Sequence, residues 1–237
     1  MLLNKTIVIT GAASGLGNAW AKGFLAEGAA VVAADIDADG LKELQAQGAR
    51  TYVADVSAEQ QVKDLIQFAV SETGRLDVLF NNAGFGNNKP FLDIPEGDFE
   101  RHLAVHVNGA LYGMRYAIPV MLQQGGGRII NTLSRAAEIS GPRNAAYAAA
   151  KAALWSLSHS VAAELGSETL LINMLIPGPT NTAIWGRDMP QMQTAEVTYP
   201  TARMMATMAD GGGSGKVYWD EQEYPLFRSL YREEVAD

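Results

Sequence analysis

The amino-acid sequence predicts an α/β fold in which one doubly wound parallel sheet fills a single domain. The first observation is that short apolar runs rich in β-branched residues alternate with longer amphipathic stretches through the 237 residues. The second is that the short runs are apolar on both faces, as strands are when helices cover both sides of a parallel sheet. Because crossovers between parallel strands are right-handed, this pattern favours a doubly wound sheet.

Seven strands and five helices follow from this pattern. Strands are predicted over residues 6–10, 30–35, 50–54, 76–81, 127–133, 169–176 and 215–219. Helices are predicted between them at roughly 15–28, 38–47, 58–73, 98–124 and 145–166. The irregular part is 180–213, which is rich in Met, Thr and Pro and ends in three glycines. A long irregular segment of this kind is either a lid or a surface helix with a flexible turn, and both interpretations stay open.

Composition excludes several classes of function. With 48% hydrophobic and 19% charged residues, the chain is expected to form a well-filled core. Its net charge of −8 argues against binding to a nucleic-acid backbone. The absence of cysteine excludes disulfides, thiolate nucleophiles and Cys-ligated zinc. Since neither a secretory signal nor a run of roughly 18 apolar residues is present, we expect a cytoplasmic protein without membrane partners.

A glycine-rich loop, residues 10–17 (Thr-Gly-Ala-Ala-Ser-Gly-Leu-Gly), joins the first predicted strand to the first predicted helix. Gly11 permits a tight turn, Gly15 lets the backbone approach a pyrophosphate, and Gly17 lets the helix pack closely on the sheet. Free N–H groups and the positive end of the helix then favour phosphate oxygens. The spacing differs from G-x-G-x-x-G, so a purely structural glycine-rich turn remains an alternative.

Two aspartates follow the next two strands and suggest which dinucleotide binds. Asp35 ends the second strand, where a carboxylate can accept hydrogen bonds from both ribose hydroxyls of NAD. It would repel the 2′-phosphate of NADP by about 4 kcal/mol at ~4 Å and an effective dielectric near 20. NAD is therefore favoured, although Asp35 could instead cap the next helix. Asp55, followed by Val56, could equally reach the adenine amino group or cap a helix.

Tyr147 and Lys151 are spaced i, i+4 in an alanine-rich helix, so they lie on one helix face. A phenol with a pKa near 10 is a poor base at neutral pH, and a neighbouring ammonium is expected to lower that pKa. Ser134 follows the fifth strand, thirteen residues before Tyr147, and its hydroxyl could hold a substrate oxygen. Alone, the pair also fits a solvated helix surface.

Taken together, these motifs resemble the short-chain dehydrogenase/reductase family. The residues that carry the resemblance are Thr10-Gly11, Gly15-x-Gly17, Asn81-Asn82-Ala83-Gly84, Val107-Asn108-Gly109, Ser134, Tyr147-x-x-x-Lys151 and Pro177-Gly178. Their order and spacing match the family over about residues 5–182. The resemblance implies a Rossmann-type fold with a seven-stranded parallel sheet. It also implies an oxidoreductase that transfers a hydride between NAD(H) and a secondary alcohol or ketone, with Tyr147 as general acid/base.

The resemblance also implies roles for single residues. The catalytic set would be Asn108, Ser134, Tyr147 and Lys151, where a backbone carbonyl near Asn108 would hold a water in a proton relay with the lysine. The cofactor would be bound by Gly11, Ser14, Gly15, Leu16, Gly17, Asp35, Asp55, Val56, Asn82, Ala83, Gly84, Tyr147, Lys151, Pro177, Gly178 and Thr182. Ile176 and Thr182 would fix the carboxamide. The substrate would be bordered by Phe85, Arg135, Glu138, Asn144, Pro179 and Trp185.

The resemblance further implies how the chain is divided and assembled. The cofactor half would span about 1–125, the catalytic and substrate part about 126–237, and the lid about 180–213. The family suggests a homotetramer or homodimer in which helix 145–166 packs on its copy. The segment after Thr182 is short for the family, and the last strand lacks the usual Asp-Gly-Gly, which puts the lid and tail contacts in doubt.

Other side chains allow more than one interpretation. His102 and His106 are spaced like a metal pair, but no third ligand completes a set, so we expect them to pack and expect no metal. Arg135 and Arg143 fit either an anionic substrate or plain surface exposure. Two other functions also remain: a non-catalytic NAD(H)-binding regulator, and an isomerase or dehydratase of the same family.

Overall fold

One sheet of eight strands lies at the centre of the computed structural model, which describes residues 2–86 and 88–227. The strands are β1 (Thr6–Thr10), β2 (Ala30–Asp35), β3 (Arg50–Val53), β4 (Val78–Asn81), β5 (Gly127–Thr132), β6 (Leu170–Leu175), β7 (Val217–Trp219) and β8 (Gln222–Glu223). Their order in the sheet is β3-β2-β1-β4-β5-β6-β7-β8. The chain therefore winds outward in both directions from β1, which confirms the predicted doubly wound sheet.

The first seven strands are parallel, as predicted, and β8 was missed. It pairs antiparallel with β7, where Tyr218 lies opposite Glu223. A two-residue polar strand has no hydrophobic alternation by which a sequence pattern could detect it. The turn that makes it possible is formed by Asp220 and Glu221, both of which have positive φ.

The helices lie where the sequence predicts them, with one addition. They are α1 (Gly15–Ala26), α2 (Lys42–Ala46), α3 (Glu59–Thr73), α4 (Asp98–Leu103), α5 (Gly109–Gln123), α6 (Ala145–Leu165) and α7 (Tyr199–Ala206). A single π-helical turn, Ala104–Asn108, joins α4 to α5 without a break. The addition is α7, which begins at a proline-containing first turn inside the segment predicted to be irregular. No helix of the described ranges is both long and apolar enough to cross a bilayer.

Alternate residues of β1 feed two hydrophobic cores, one on each side of the sheet. Ile7 and Ile9 pack with Trp20 and Phe24 of α1 on one side. Val8 packs on the other side among residues of α3, α5 and α6. Because consecutive strand residues point to opposite faces, this division is what a sheet with helices on both faces requires.

The carboxyl ends of β1 and β4 mark the point where the strand order reverses. Here β1 leads into a helix on one side of the sheet, and β4, its neighbour, leads toward the other. In open α/β sheets a crevice forms at such a point and is where ligands bind. The fold therefore places a candidate site at this edge.

Candidate active site

A cavity of about 570 Å³ opens at the carboxyl ends of the central strands. The glycine loop and Asp35 border one end, and Ser134, Tyr147 and Trp185 border the other. Its size lies within the range of small-molecule and cofactor sites. One cavity thus connects the predicted phosphate loop with the predicted reaction centre.

The glycine loop forms a cradle that larger residues would fill. Gly11 has φ +69°, and a Cβ there would lie 2.7 Å from the Cα of Ala83. A Cβ on Gly17 would collide with the carbonyl oxygen of Gly11. The side chain of Ser14 does not cap α1, and the first turn of that helix carries no acidic residue. The amino end of α1 is therefore free to donate N–H groups into the cavity, which fits a pyrophosphate.

The loop after β4 is tied to the glycine loop through Thr10. The Thr10 hydroxyl accepts hydrogen bonds from the backbone N–H groups of Asn82 (3.0 Å) and Ala83 (3.1 Å). The Asn82 side chain donates to the Thr10 carbonyl and accepts from the Thr132 hydroxyl. These bonds fix the cofactor end of the cavity relative to three neighbouring strands.

Asp35 borders the cavity, and its carboxylate also holds the backbone around it. One oxygen accepts from the Ala13 N–H at 2.9 Å, and the other accepts from the Asp37 N–H at 3.0 Å. The next helix begins only at Lys42, so Asp35 does not cap it. The alternative that made Asp35 a helix cap is wrong, and its carboxylate borders the cavity beside the glycine loop.

Asp55 and Val56 lie away from the cavity. The Asp55 carboxylate is exposed and accepts from the N–H and the hydroxyl of Ser57, in the turn before α3. Val56 is buried. Asp55 thus stabilises a local turn before α3, and its contact with adenine stays a prediction.

Helix α6 presents Tyr147 and Lys151 to the cavity, facing Ser134 just beyond β5. The Ser134 and Tyr147 side chains both line the cavity, and the Ser134 hydroxyl oxygen accepts from the Ala136 N–H at 3.1 Å. The Lys151 ammonium donates to the Thr132 carbonyl at 2.7 Å and lies 5.6 Å from the centre of the Tyr147 ring. The three side chains that the sequence predicts to act together thus border the same cavity.

Burial governs the titration of both α6 side chains. It raises the pKa of the Tyr147 phenol, although the hydrogen bond from Ser134 partly offsets this. It lowers the pKa of Lys151 to about 7. The pKa of Tyr147 is therefore raised in this structure, where the sequence led us to expect it lowered. In an environment with little water the charged form of each group is disfavoured, and the ammonium itself bonds to a carbonyl.

Most of the predicted site residues lie together. Those that border the cavity are Gly11, Ser14, Gly15, Leu16, Asp35, Asn82, Gly84, Ser134, Tyr147, Lys151, Ile176, Pro177, Gly178 and Thr182, with Arg135, Asn144, Pro179 and Trp185 on the predicted substrate side. Those outside its wall are Gly17, Asp55, Val56, Ala83, Phe85, Asn108 and Glu138. Gly17 and Ala83 still support the cradle through their close packing against Gly11.

Two of the outlying residues have other contacts that explain their positions, and a third is exposed. Phe85 stacks on His102 with ring centres 4.2 Å apart. Glu138 accepts from the Tyr224 hydroxyl and the Phe227 N–H. Asn108 is exposed and lies outside the cavity wall, and the role that the resemblance gives to a nearby backbone carbonyl stays a prediction.

His106 is one of several residues of the cavity wall to which no sequence motif assigned a place in the site. Residues two apart on a helix lie about 200° apart, so only one of positions 106 and 108 can face the cavity. His106 does so, and it is buried. The spacing to His102 drew attention to a metal pair instead, but residues 2–86 and 88–227 contain no group of three metal-ligating side chains.

The two arginines differ in their surroundings. Arg135 borders the cavity with its guanidinium 5.2 Å from the Trp219 ring. Arg143 is directed instead to the Asn88 carbonyl. Of the pair, Arg135 is the one that borders the cavity.

Comparison with known proteins shows similarity along most of the chain. Residues 5–193 match the family model described as short chain dehydrogenase. The 7α-hydroxysteroid dehydrogenase of Escherichia coli is 37% identical over 73% of this chain and 70% of its own length. A diacetyl reductase of Staphylococcus epidermidis, (S)-acetoin forming, is 35% identical over 78% of this chain and 75% of its own.

A solved structure is also similar to this chain along most of its length. A 7α-hydroxysteroid dehydrogenase in complex with NADH and 7-oxo glycochenodeoxycholic acid superposes with a TM-score of 0.82, at 31% identity, over 91% of this chain and 92% of that one. This similarity supports a nicotinamide cofactor and the class of oxidoreductases for our protein. On the family match and these relatives, the chain belongs to the short-chain dehydrogenase/reductase family.

Proposed function

We propose that this protein is an NAD-dependent alcohol dehydrogenase or carbonyl reductase in which Tyr147 is the general acid/base. The observation that carries the proposal is that Ser134, Tyr147 and Lys151 all border the cavity that begins at the glycine loop. Two hydroxyls on the wall of one cavity can both reach one substrate oxygen. A secondary alcohol or ketone supplies such an oxygen.

The choice of NAD over NADP rests on Asp35. Its half-buried carboxylate borders the cavity, and the neighbouring Ile36 brings no positive charge. The backbone bonds from Ala13 and Asp37 keep the charge at this place. A 2′-phosphate would meet it at short range, whereas ribose hydroxyls would donate to it.

The chain's own groups would orient the substrate and move one proton. Bound nicotinamide supplies the hydride chemistry. Ser134 would hold the substrate oxygen, and Tyr147 would donate its phenolic proton to that oxygen during reduction. Because burial raises the pKa of Tyr147, the phenol carries its proton at neutral pH, as a donor must. In the oxidising direction the same oxygen would accept a proton, and a protonated Lys151 would favour that state.

The walls near Ser134 favour an apolar substrate body. Ile139, Pro142, Pro179, Ile184 and Trp185 contribute apolar surface to this end of the cavity. The relatives are named for a hydroxysteroid and for diacetyl, two molecules of very different size. We therefore infer the reacting group, a secondary alcohol or ketone, from the site, and leave the substituents to assay.

The division of the chain and its assembly are also proposals. We infer a cofactor part at about 1–125, a catalytic part at about 126–237 and a lid within about 180–213. A contact supports the lid: a Cβ on Gly86 would lie 2.5 Å from the Ile184 carbonyl oxygen, so the two segments meet beside the cavity. A homotetramer or homodimer and a cytoplasmic location remain predictions, and the α6 residues Leu157, Val161 and Leu165 pack on the chain's own core.

The deciding experiment is a panel of secondary alcohols and ketones assayed with NAD(H) and NADP(H) in parallel, with a Tyr147→Phe variant beside the wild type. The variant should lose roughly 10²–10⁴-fold in kcat while still binding NADH, because it lacks only the proton-transferring oxygen. Tyr116→Phe is the matched control, since Tyr116 bonds to Glu59 away from the cavity and should keep full activity. Undiminished turnover by Tyr147→Phe would contradict the mechanism.

The same panel separates the other two functions. A regulator would bind NADH tightly and turn over no substrate, whereas an isomerase or dehydratase would convert substrate without a net change in NADH absorbance. The meeting of Ser134, Tyr147 and Lys151 in one cavity favours the dehydrogenase over the regulator.

A further inference from the structure

We propose that His106 is a positioning residue that holds Tyr147 and the loop of residues 83–86 in register across the cavity, by donating a hydrogen bond to the Phe85 carbonyl. The proposal rests on the proposed function, because it concerns the residue assigned there as the acid/base. It adds a residue that no motif of the sequence identifies.

His106 forms a hydrogen bond to the loop of residues 83–86. The Nε2 atom of His106 lies 2.9 Å from the Phe85 carbonyl oxygen. A carbonyl can only accept, so Nε2 carries the hydrogen. Burial, together with the charge of Lys151, lowers the pKa of His106 well below its usual range, so the ring is neutral with Nδ1 unprotonated. The ring is thus a fixed donor to the loop.

The His106 ring also contacts Tyr147. The His106 and Tyr147 rings meet edge to face, with centres 5.3 Å apart and planes at 88°. On its other side, His106 lies parallel to His102 at 5.5 Å. Because the ring is 2% exposed, it has no room to move without disturbing Tyr147.

The His106 ring packs closely against the backbone of the same loop. A Cβ placed on Gly84 would lie 2.5 Å from the Cε1 atom of His106, so the loop backbone touches the ring directly. Gly84 and Gly86 both border the cavity. One imidazole therefore bonds to the loop on the cofactor side, touches its backbone and supports the phenol on the reaction side.

The local backbone conformation determines the direction of the His106 ring. His106 lies in the π-helical turn 104–108, between two regular helices. Such single wide turns often occur at functional sites. The turn directs His106 into the cavity wall and leaves Asn108 exposed.

The test compares His106→Gln with His106→Met, two unbranched side chains of similar size of which only Gln can donate to the Phe85 carbonyl. We expect kcat to fall roughly 10–100-fold in His106→Met and to stay within about 5-fold of wild type in His106→Gln, with the substrate KM changed little in both. His102→Met is the control for packing, because His102 occupies the same stack without a bond to the loop, and it should stay within about 5-fold.

A second readout needs no activity. Hydrogen exchange of the peptide covering 83–86, measured without cofactor, should rise in His106→Met and not in His106→Gln or His102→Met. Equal kcat and equal exchange in the two His106 variants would overturn the proposal, as would an equal loss in His102→Met. If the wild type turns over no substrate, the proposed function fails, while the exchange comparison still decides the role of His106.

Discussion

At the scale of single residues, Lys151 shows how burial and charge oppose each other in this site. The side chain is 4% exposed and has one hydrogen-bond acceptor, the Thr132 carbonyl, among the contacts of residues 2–86 and 88–227. Its pKa of about 7 means that the ammonium is largely lost above neutral pH. A site that needs the cation must therefore regain it from another interaction, and bound substrate or cofactor is where we expect that interaction.

This titration predicts how stability depends on pH. Folded Lys151 has a pKa of about 7, below its unfolded value of 10.5, so between these values the unfolded chain binds more protons. The free energy of unfolding of wild type, relative to Lys151→Met, should therefore rise with pH by about 1.4 kcal/mol per unit between pH 8 and pH 9.5. The measurement is urea denaturation without cofactor across that range. Parallel curves for the two proteins would show that Lys151 titrates normally.

Residue spacing predicted which side chains of the reaction centre meet, but not how they titrate. Tyr147 and Lys151 had to share a helix face, and Ser134 had to follow a strand beside them. The direction of the Tyr147 pKa depends on how much water reaches the phenol and on which acceptor Lys151 chooses. Both depend on tertiary packing that no local spacing encodes.

At the scale of elements, the β1–α1 unit carries the phosphate cradle. Strand β1 is buried throughout, and α1 packs Trp20 and Phe24 against the same core, so the loop between them is held at both ends. A rigid mount of this kind presents backbone N–H groups without an entropic penalty on binding. Positions 11 and 17 need glycine because neighbouring backbone atoms lie too close to leave room for a Cβ.

Gly17→Ala tests this mount. The new methyl group would collide with the Gly11 carbonyl, so the helix must shift, and NADH affinity should fall at least about 10-fold with a stability loss of roughly 1–3 kcal/mol. Calorimetric titration with NADH and urea denaturation give the two quantities. Gly48→Ala is the control for NADH affinity, since its methyl group meets nothing within 4 Å and Gly48 lies outside the cavity wall; because Gly48 has φ +98°, this variant should lose stability while keeping its affinity. Unchanged affinity in Gly17→Ala would argue against the cradle.

The helix run 98–123 shows what a hydrophobic pattern reveals and what it leaves hidden. The sequence predicted one helix over 98–124, and the backbone is helical throughout that run. The wide turn at 104–108 changes the rotation of α4 about the helix axis relative to α5, and no residue type in it marks the change. The pattern therefore does not show that His106, and not Asn108, borders the cavity.

At the scale of the whole molecule, binding at the cavity joins segments that are far apart in sequence. Its wall takes residues from the glycine loop, from the loop after β4, from α6 and from the segment after β6. A dinucleotide that contacts all of them binds the folded state alone. Its affinity must then appear as global stability.

Thermal denaturation measures that linkage and tests cofactor choice. NADH at roughly 100 times its dissociation constant should add about 2.7 kcal/mol and raise Tm by roughly 5–10 °C. NADPH at the same concentration should raise Tm much less, because Asp35 opposes its 2′-phosphate. An equal or larger shift with NADPH would show that the carboxylate does not discriminate.

The global pattern of strands and helices was predictable because each element repeats its own period, whereas β8 and α7 were not. Strand β8 is too short to show a period, and α7 combines a proline-containing start with a run of methionines that also fits an irregular lid. In the structure Met205 is buried in the core beside α1, which supports core filling for that residue. Short elements depend on what lies next to them.

The small strand β8 protects one edge of the sheet from pairing with a strand of another molecule. The outer edge of a sheet offers unpaired backbone groups that can recruit a strand from another molecule. Pairing with β8, beside the Lys216–Glu223 ion pair, covers the main chain of β7. The opposite edge is β3, a four-residue strand with Val53 56% exposed. Intermolecular strand addition, and the aggregation that results from it, should therefore start at β3, where a charge at position 53 would suppress it.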